Sequence, residues 1–170
     1  SISGEPLIDI TTRRLGSHGF RQIWVTIHYR AKDIQDHLGN GDHLGAQIQY
    51  ITEPEPLGTA GGIRQIPVVS EETPILVCNA DNLHSINFSA LIDYHISSRA
   101  WATLAVAQHV TEIPYGVVSI GDGFVNGLVE KPRRTDWVAT GVSVMTQRAL
   151  SLFPQGQRLD IPTVIAELLD

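Results

Sequence analysis

The chain has 170 residues, of which 42% are hydrophobic and 18% are charged, a balance that fits one globular domain with a sizeable core. The net charge of −6 at pH 7 disfavours a nucleic-acid partner, and the apolar runs are too short to cross a bilayer. One cysteine excludes an internal disulfide, and no basic and apolar leader begins at Ser1, so we expect a cytoplasmic protein without a membrane partner.

Apolar periodicity and turn residues predict that helices and strands alternate through the first half of the chain. The predicted elements are, in order, a helix opened by Pro6 and stopped by Gly19, a strand over 22–28, a helix over 31–38, a turn over 39–42, a strand over 46–52, a glycine-rich loop leading into a short helix over 59–66, and a continuously apolar, buried strand over 75–79. Proline suits the first turn of a helix and glycine its end, so these two residues bound the first helix.

The second half places its strands in closer succession. In order, we predict a helix capped by Asn87 and reaching residue 98, a strand over 102–108, a hairpin of strands over 117–120 and 124–130 around a Gly-Asp-Gly turn, a strand over 138–145, and a final helix beginning at Asp160 and Pro162 and ending near residue 170. Strands that alternate with helices favour an α/β fold, a Rossmann-like three-layer sandwich with a mostly parallel, mixed central sheet. No repeat, low-complexity segment or linker divides the sequence, so we expect one domain over residues 1–170.

A candidate metal site follows the apolar strand over 75–79. In open α/β sheets, ligands bind beyond the carboxyl ends of the strands, and this strand delivers Asn79 and Asp81 to such an end. A carboxylate there suits Mg²⁺, which takes one or two carboxylates together with phosphate oxygens. The alternative is that Asp81 forms a turn or caps a helix.

The connection over 53–62 reads Glu-Pro-Glu-Pro-Leu-Gly-Thr-Ala-Gly-Gly, which is unusually rich in small residues. Glycine lets a flat ligand or a phosphate lie against the backbone, and successive free N–H groups form a polar cradle. We therefore expect a nucleotide base or sugar to approach this loop, although an ordinary turn would also collect glycine.

Two further stretches offer polar groups or space at strand ends. Lys131 suits a phosphate and Glu130 can accept hydrogen bonds from hydroxyls, whereas a solvated charged edge is the alternative for both. Gly116 either leaves room for a ligand or bends the entry to a strand. The histidines lack a metal-ligand spacing, Cys78 is expected in the core, and neither a Walker A loop nor a nucleophile elbow is present.

Five motifs stand in a fixed order along the chain. They are residues 53–61, 79–81, 115–118 and 130–132, with 160–163 as the fifth, and residues 4–8 and 18–20 in support. In this order they resemble the sugar-1-phosphate nucleotidylyltransferases, and the sequence is most similar to the bacterial branch that includes mannose-1-phosphate guanylyltransferase-like proteins. The match covers nearly the whole chain, and the ordered set is more specific than any single motif.

The resemblance implies transfer of a nucleotidyl group from a nucleoside triphosphate to a sugar 1-phosphate of mannose or hexosamine type, giving an NDP-sugar and pyrophosphate. It implies catalytic roles for Asp81, which would bind Mg²⁺, and for Lys131, which would hold the sugar phosphate. The nucleotide would contact Glu53, Leu57, Gly58, Thr59, Ala60, Gly61 and Asn79, and the sugar phosphate Gly116, Glu130, Lys131 and Thr140. Because the family often forms dimers or larger assemblies, a homo-oligomer is one expected state.

The sequence departs from the family pattern in several places. The family's first strand and its arginine-containing triphosphate loop have no counterpart, since residues 1–4 match the segment that follows them. We therefore expect a fragment, inactive by itself, that also stops short of its C-terminal end and of the second metal aspartate, for which Asp160 or Asp170 could substitute. Ala139 and Ser143 replace an asparagine and a tyrosine, and because that asparagine commonly contacts a sugar hydroxyl, the identity of the sugar stays open.

Two alternatives remain at the level of function. A carboxylate at Glu53 or Glu55 could accept hydrogen bonds from N1 and N2 of guanine, which favours GTP, or both glutamates could simply face solvent. The protein could also be a non-catalytic, nucleotide-sugar-binding or regulatory relative that kept the fold.

Overall fold

The computed structural model describes residues 4–67 and 70–169. The chain divides into two compact units, the first comprising Ser1–Leu104 and Gly141–Asp170 and the second Ala105–Thr140. The helices and strands are α1 Leu7–Ser17, β1 Gln22–Ile27, α2 Ala31–Leu38, β2 Gln47–Thr52, α3 Gly58–Gly61, β3 Pro74–Cys78, α4 Phe88–Ser98, β4 Ala102–Glu112, β5 Gly116–Gly121, β6 Phe124–Glu130, β7 Arg133–Thr146, α5 Gln147–Ser151 and α6 Ile161–Leu169, with 3₁₀ turns at Asp42–Leu44 and Ile63–Gln65. None of the described helices is long and apolar enough to cross a membrane.

The first unit contains a parallel pair of strands, β1 and β2, which are in register along their whole length. Their apolar side chains pack with residues of α1 and α2 around the buried Leu38, Leu44 and Ile48. A parallel pair needs a crossover connection, and here α2 with the turn after it provides one. This cluster is one hydrophobic core of the unit.

The helix α1 ends because Gly19 adopts a left-handed conformation, with φ of +89°. The N–H of Gly19 donates to the carbonyl of Gly16, and the N–H of Phe20 donates to the carbonyl of Leu15. These two bonds are the Schellman pattern that satisfies the last carbonyls of a helix. The stop predicted at Gly19 is confirmed.

A second group of strands in the first unit forms a three-stranded sheet in the order β3, β7, β4, with β3 and β7 antiparallel. Ala60, Ile63, Met145, Leu150 and Val164 are buried together beside it and form another core. This core joins α3, α5 and α6 to the inner face of the sheet. The glycine-rich loop is therefore anchored in a core and is not a free surface connection.

Two helices begin at capping side chains. Asn87 accepts the N–H of Ala90 at 3.0 Å, which confirms the predicted cap of α4. Thr146 accepts the N–H of Ala149 at 3.1 Å and starts α5, a helix that the sequence analysis did not predict. Because α5 follows β7 directly, no turn residue marks the point where the apolar period changes from that of a strand to that of a helix.

The second unit contains the antiparallel hairpin of β5 and β6 and the outer parts of β4 and β7. Asp122 and Gly123 form the hairpin turn with φ of +52° and +82°, as two-residue turns of type I′ require. The predicted hairpin is confirmed. Nearly all its side chains are exposed.

Most predicted elements are present, and the fold is mixed α/β with parallel and antiparallel pairing. Strands β4 and β7 are longer than predicted, since both run from the first unit into the second. The expected burial of the strand over 75–79 is wrong, because residues 74–78 are only half-buried and residue 79 is exposed. The predicted end of the last helix at Asp170 lies outside the described residues.

Candidate functional site

A cavity of about 900 Å³ explains why β3 is only half-buried. It is lined by consecutive residues of β1, over 22–26, and by residues 74–81 of β3 and its continuation. Because alternate side chains of a strand point to opposite faces, a cavity lined by consecutive residues runs along the strand edges. Among the described residues, β1 pairs only with β2, and β3 only with β7, so both edges open onto this space.

Four of the predicted nucleotide or metal residues line this one cavity, namely Gly58, Thr59, Asn79 and Asp81. Two come from the glycine-rich loop and two from the end of β3, so tertiary structure joins segments about twenty residues apart in the sequence. All four belong to the first unit. The carboxyl end of an apolar strand thus meets the glycine-rich loop across an accessible space.

Asp81 presents a single carboxylate to the cavity. Its side chain is exposed, and the described residues contain no group of three or more His, Cys, Asp or Glu able to hold a metal ion together. Asn79 is held beside it against Gly141, where an added Cβ would lie 3.1 Å from Asn79 Nδ2. One carboxylate and one amide are therefore what this strand end offers to a ligand.

Cys78 also lines the cavity, but its thiol is a weak nucleophile at neutral pH. Burial raises the pKa of its thiol to about 11, so the thiolate that acts as nucleophile or metal ligand is scarce at neutral pH. The interpretation of Cys78 as a packing residue needs only a small correction, since its side chain is half-buried. A covalent intermediate on this residue is disfavoured.

Glu53 has a structural task in the loop. Its side chain is 8% exposed, and its Oε2 accepts the N–H of Leu57 at 3.1 Å. Its Oε1 is buried without a hydrogen-bond partner among the described residues. The hydrogen bond to Leu57 holds the turn at the start of the loop. Glu55, in contrast, is exposed.

The small residues of the loop make room for the protein's own chain. An added Cβ at Gly58 would lie 2.5 Å from Asp160 Oδ1, and one at Gly61 would lie 2.8 Å from the carbonyl oxygen of Gln157. Leu57, Ala60 and Gly61 are buried. The expectation that the glycines clear space for a ligand is therefore wrong for these contacts, because the segment over 157–160 occupies that space.

The N–H groups of the loop are also bonded internally. Thr59 donates to Asp160 Oδ1 at 3.0 Å, while Ala60 and Gly61 donate to the carbonyl of Leu159 at 2.8 and 3.1 Å. The predicted cradle of successive free N–H groups is thus not formed. Gly58 and Thr59 are the residues of the loop that line the cavity.

The second unit carries the four predicted sugar-phosphate residues. Gly116 lies directly opposite Glu130 in the hairpin, and an added Cβ at Gly116 would lie 3.0 Å from Glu130 Oε2. Lys131 is exposed, with φ of +46° and its N–H donating to the carbonyl of Tyr115 at 3.3 Å. Thr140 donates its hydroxyl to the carbonyl of Ala105 at 2.9 Å, which leaves its oxygen free to accept.

Sequence reasoning missed the role of Asp160 in the loop. It identified Asp160 as the start of the last helix and as a candidate substitute for the second metal aspartate. The structure confirms the helix start, since the N–H groups of Thr163 and Val164 donate to its carbonyl. The contact of its side chain with Thr59 joins residues 101 positions apart. The only available signal was the unexplained pair of small residues at 58 and 61.

Taken together, the fold and the site define a mixed α/β protein in which an acidic strand end and a glycine-rich loop share a cavity open to ligands. A profile of the family described as nucleotidyl transferase matches residues 1–155. The chain belongs to this family, which confirms the recognition made from the ordered motifs.

Relatives extend this comparison. The mannose-1-phosphate guanylyltransferase of Mycobacterium tuberculosis is 27% identical over 94% of this chain and 45% of that protein. The N-acetylmuramate alpha-1-phosphate uridylyltransferase of Neisseria meningitidis is 37% identical over 59% of this chain and 46% of its own. The structure of HddC from Yersinia pseudotuberculosis complexed with GMP-PN has a TM-score of 0.70 at 22% identity, covering 94% of this chain and 71% of that one, which supports the fold. The chain spans about half the length of the curated relatives it matches.

Proposed function

We propose that the protein transfers a nucleotidyl group from a nucleoside triphosphate to a sugar 1-phosphate and releases pyrophosphate. The observation that carries this proposal is the single cavity lined by Gly58, Thr59, Asn79 and Asp81, in a chain of the nucleotidyl transferase family. Attack of the sugar phosphate on the α-phosphorus requires two anions in line, and positioning with charge neutralisation meets most of that requirement. No side-chain nucleophile is needed, which agrees with the raised pKa of the Cys78 thiol.

Asp81 is the residue we propose to hold Mg²⁺. Its exposed carboxylate lines the cavity, and a lone carboxylate fits this ion, which fills its other positions with phosphate oxygens and water. The ion would neutralise charge on the phosphates when bound. Asp81 orients the metal and Asn79 offers an amide to the nucleotide, while Gly58 and Thr59 contact its base or sugar.

We propose that the second unit supplies the sugar-phosphate contacts. Glu130 and Lys131 are consecutive at the end of β6, where Glu130 would accept a hydrogen bond from a sugar hydroxyl and Lys131 would bind the phosphate. Gly116 supports this by leaving space for the Glu130 carboxylate across the hairpin. Thr140 would accept a hydrogen bond from the sugar, since its proton is already donated to Ala105.

The test of catalysis is Asp81→Asn in the protein that contains this chain. We expect pyrophosphate release to fall by a factor of about one hundred or more, because the amide replaces the charged oxygen that would bind Mg²⁺. Asp93→Asn, on the exposed side of α4, is the matched control and should leave the rate unchanged. Equal rates for Asp81→Asn and wild type would remove Asp81 from catalysis. Nucleotide binding by a wild type that releases no pyrophosphate would instead support a binding or regulatory relative.

We propose that the protein binds GTP in preference to UTP through Glu55. Of the two loop glutamates only Glu55 is exposed, whereas the Glu53 carboxylate is buried against Leu57. We expect titration calorimetry with Mg²⁺ to give tighter binding of GTP than of UTP, and Glu55→Gln to reduce that ratio about tenfold, since guanine would lose an ionised acceptor for N1 and N2. UTP affinity serves as the internal control. Equal affinities of wild type for the two nucleotides would end the hypothesis.

We further propose that both units belong to one nucleotidyltransferase domain built as a three-layer sandwich. The succession of helices and strands along the chain supports the proposed fold. A mannose- or hexosamine-type sugar, a cytoplasmic location and self-association also stay predictions.

A further inference from the structure

The glycine-rich loop is bonded to the segment that begins the last helix. The N–H of Leu159 donates to the carbonyl of Leu57 at 2.8 Å. The N–H groups of Ala60 and Gly61 donate to the carbonyl of Leu159 at 2.8 and 3.1 Å. One face of residues 57–61 is therefore occupied by the chain itself. Gly58 and Thr59 of the same loop also line the cavity.

Two side-chain bonds complete this contact and are reciprocal. Asp160 Oδ1 accepts the N–H of Thr59 at 3.0 Å, and Thr59 Oγ1 accepts the N–H of Ile161 at 2.8 Å. Each bond satisfies a donor at the start of a helix, where N–H groups lack partners within the helix. Thr59 is thereby fixed in both its backbone and its side chain.

One oxygen of the Asp160 carboxylate makes the contact with the loop. The Oδ2 of Asp160 lies 3.8 Å from Nε of Arg158, in an exposed ion pair. Its Oδ1 contacts the position that a Cβ at Gly58 would occupy, so glycine at 58 is the condition for this approach. The Asp160 side chain therefore supports the loop at Gly58 and Thr59.

We propose that Asp160 is a positioning residue that fixes Gly58 and Thr59 in the conformation that binds the nucleotide, and that it acts through the position of its acceptor oxygen and not as a metal ligand. The inference rests on the proposed nucleotide site. It adds a residue 101 positions from Thr59 to that site, although no atom of Asp160 lines the cavity. What matters at this position is an acceptor oxygen of the right reach, so asparagine should replace aspartate and alanine should not.

The experiment compares wild type with Asp160→Ala, Asp160→Asn and Arg158→Ala. We expect Asp160→Ala to weaken GTP binding about tenfold with Mg²⁺ present, as loss of one hydrogen bond predicts, and to leave mannose 1-phosphate affinity unchanged. Asp160→Asn should stay within about twofold of wild type, because its amide oxygen can still accept the Thr59 N–H. Arg158→Ala is the matched control, since it removes only the exposed partner of Oδ2.

A second readout does not depend on ligand binding. Amide hydrogen exchange at residues 58–61 should accelerate in Asp160→Ala and stay as in wild type for Asp160→Asn. Asp160→Ser gives the same comparison if the alanine variant does not fold, since serine remains a favoured residue before a helix but is too short to reach Thr59.

Three results would overturn the inference. Wild-type GTP affinity in a folded Asp160→Ala or Asp160→Ser variant would show that the loop needs no support from this residue. Equal loss of GTP binding in Asp160→Asn and Asp160→Ala would show that the charge is required, as for a metal ligand. Amide hydrogen exchange at residues 58–61 that is as slow in Asp160→Ala or Asp160→Ser as in wild type would show that the contact does not hold the loop. If wild type binds neither GTP nor UTP, the proposed function fails, and the exchange data still report the contact separately.

Discussion

Gly62 shows how far single residues depend on distant neighbours. An added Cβ there would overlap Glu53 Oε1 and would lie 2.6 Å from Cγ2 of Thr26. The carboxylate of Glu53 cannot simply move aside, because its other oxygen accepts the N–H of Leu57. Close approach of the chain to itself therefore explains this glycine, whereas the sequence alone left open whether a ligand or a turn required the glycines of this loop.

His95 is a second residue whose surroundings set its chemistry. It is 2% exposed, and its Nδ1 lies 2.9 Å from Oγ1 of Thr103. Burial lowers its pKa from the usual value of 6.5, because the charged imidazolium is poorly solvated there. The folded state therefore binds this proton less readily than the unfolded state.

The free energy of unfolding should accordingly depend on pH through His95. A group with a lowered pKa contributes stability above its unfolded pKa, and that stability is lost as pH falls below about 6.5, with a slope of at most about 1.4 kcal/mol per pH unit. Urea denaturation of wild type and His95→Gln between about pH 5 and about pH 7.5 measures the effect. The wild type should lose its advantage as pH falls. Parallel curves for the two proteins would contradict this assignment.

The hairpin of β5 and β6 is the element that brings the proposed sugar-phosphate residues together. Its register sets Gly116 opposite Glu130, and the left-handed backbone at Lys131 ends β6 immediately afterwards. The N–H of Lys131 is tied to Tyr115 across the hairpin, so its position is fixed by the backbone. No ion-pair partner of its ammonium group is found within residues 4–67 and 70–169.

Removing this charge should separate the two substrates. We expect Lys131→Ala to weaken mannose 1-phosphate binding about tenfold or more, because a phosphate loses its cation, while GTP affinity stays nearly the same. Titration calorimetry with each ligand measures both. Arg134→Ala, which removes an exposed cation already paired with Asp136 at 2.7 Å, is the control. Unchanged affinities in Lys131→Ala would mean that Lys131 is only a surface charge.

On the scale of the whole molecule, the cavity is lined by residues that pack against two different hydrophobic cores of the first unit. Ile23 and Val25 belong to the core around β1 and β2, whereas Ile75 and Val77 pack against the core beside β3. The open edges of β1 and β3 face this space, and that is why an apolar strand is half-buried. The cavity is therefore a consequence of how the sheets are assembled.

Local sequence determined most elements, because their causes lie within a few residues. Helix α2 has the predicted bounds, α1 stops at Gly19, Asn87 caps α4, and the Asp122–Gly123 turn closes its hairpin. Caps, turns and apolar periods act over one or two turns of chain, so they are readable without a structure. The order of the motifs also identified the family, as the profile match confirms.

Tertiary structure alone decided what the residues of the loop do. Glycines 58 and 61 predicted space for a ligand, yet the space is filled by residues 157–160. Glu53 predicted a base-reading carboxylate and is instead buried against Leu57, and Asp160 was recognised as the start of a helix but not as a support for Thr59. These contacts join positions up to 101 residues apart, and no local rule encodes such a distance, because side-chain partners are chosen by the packing of whole elements.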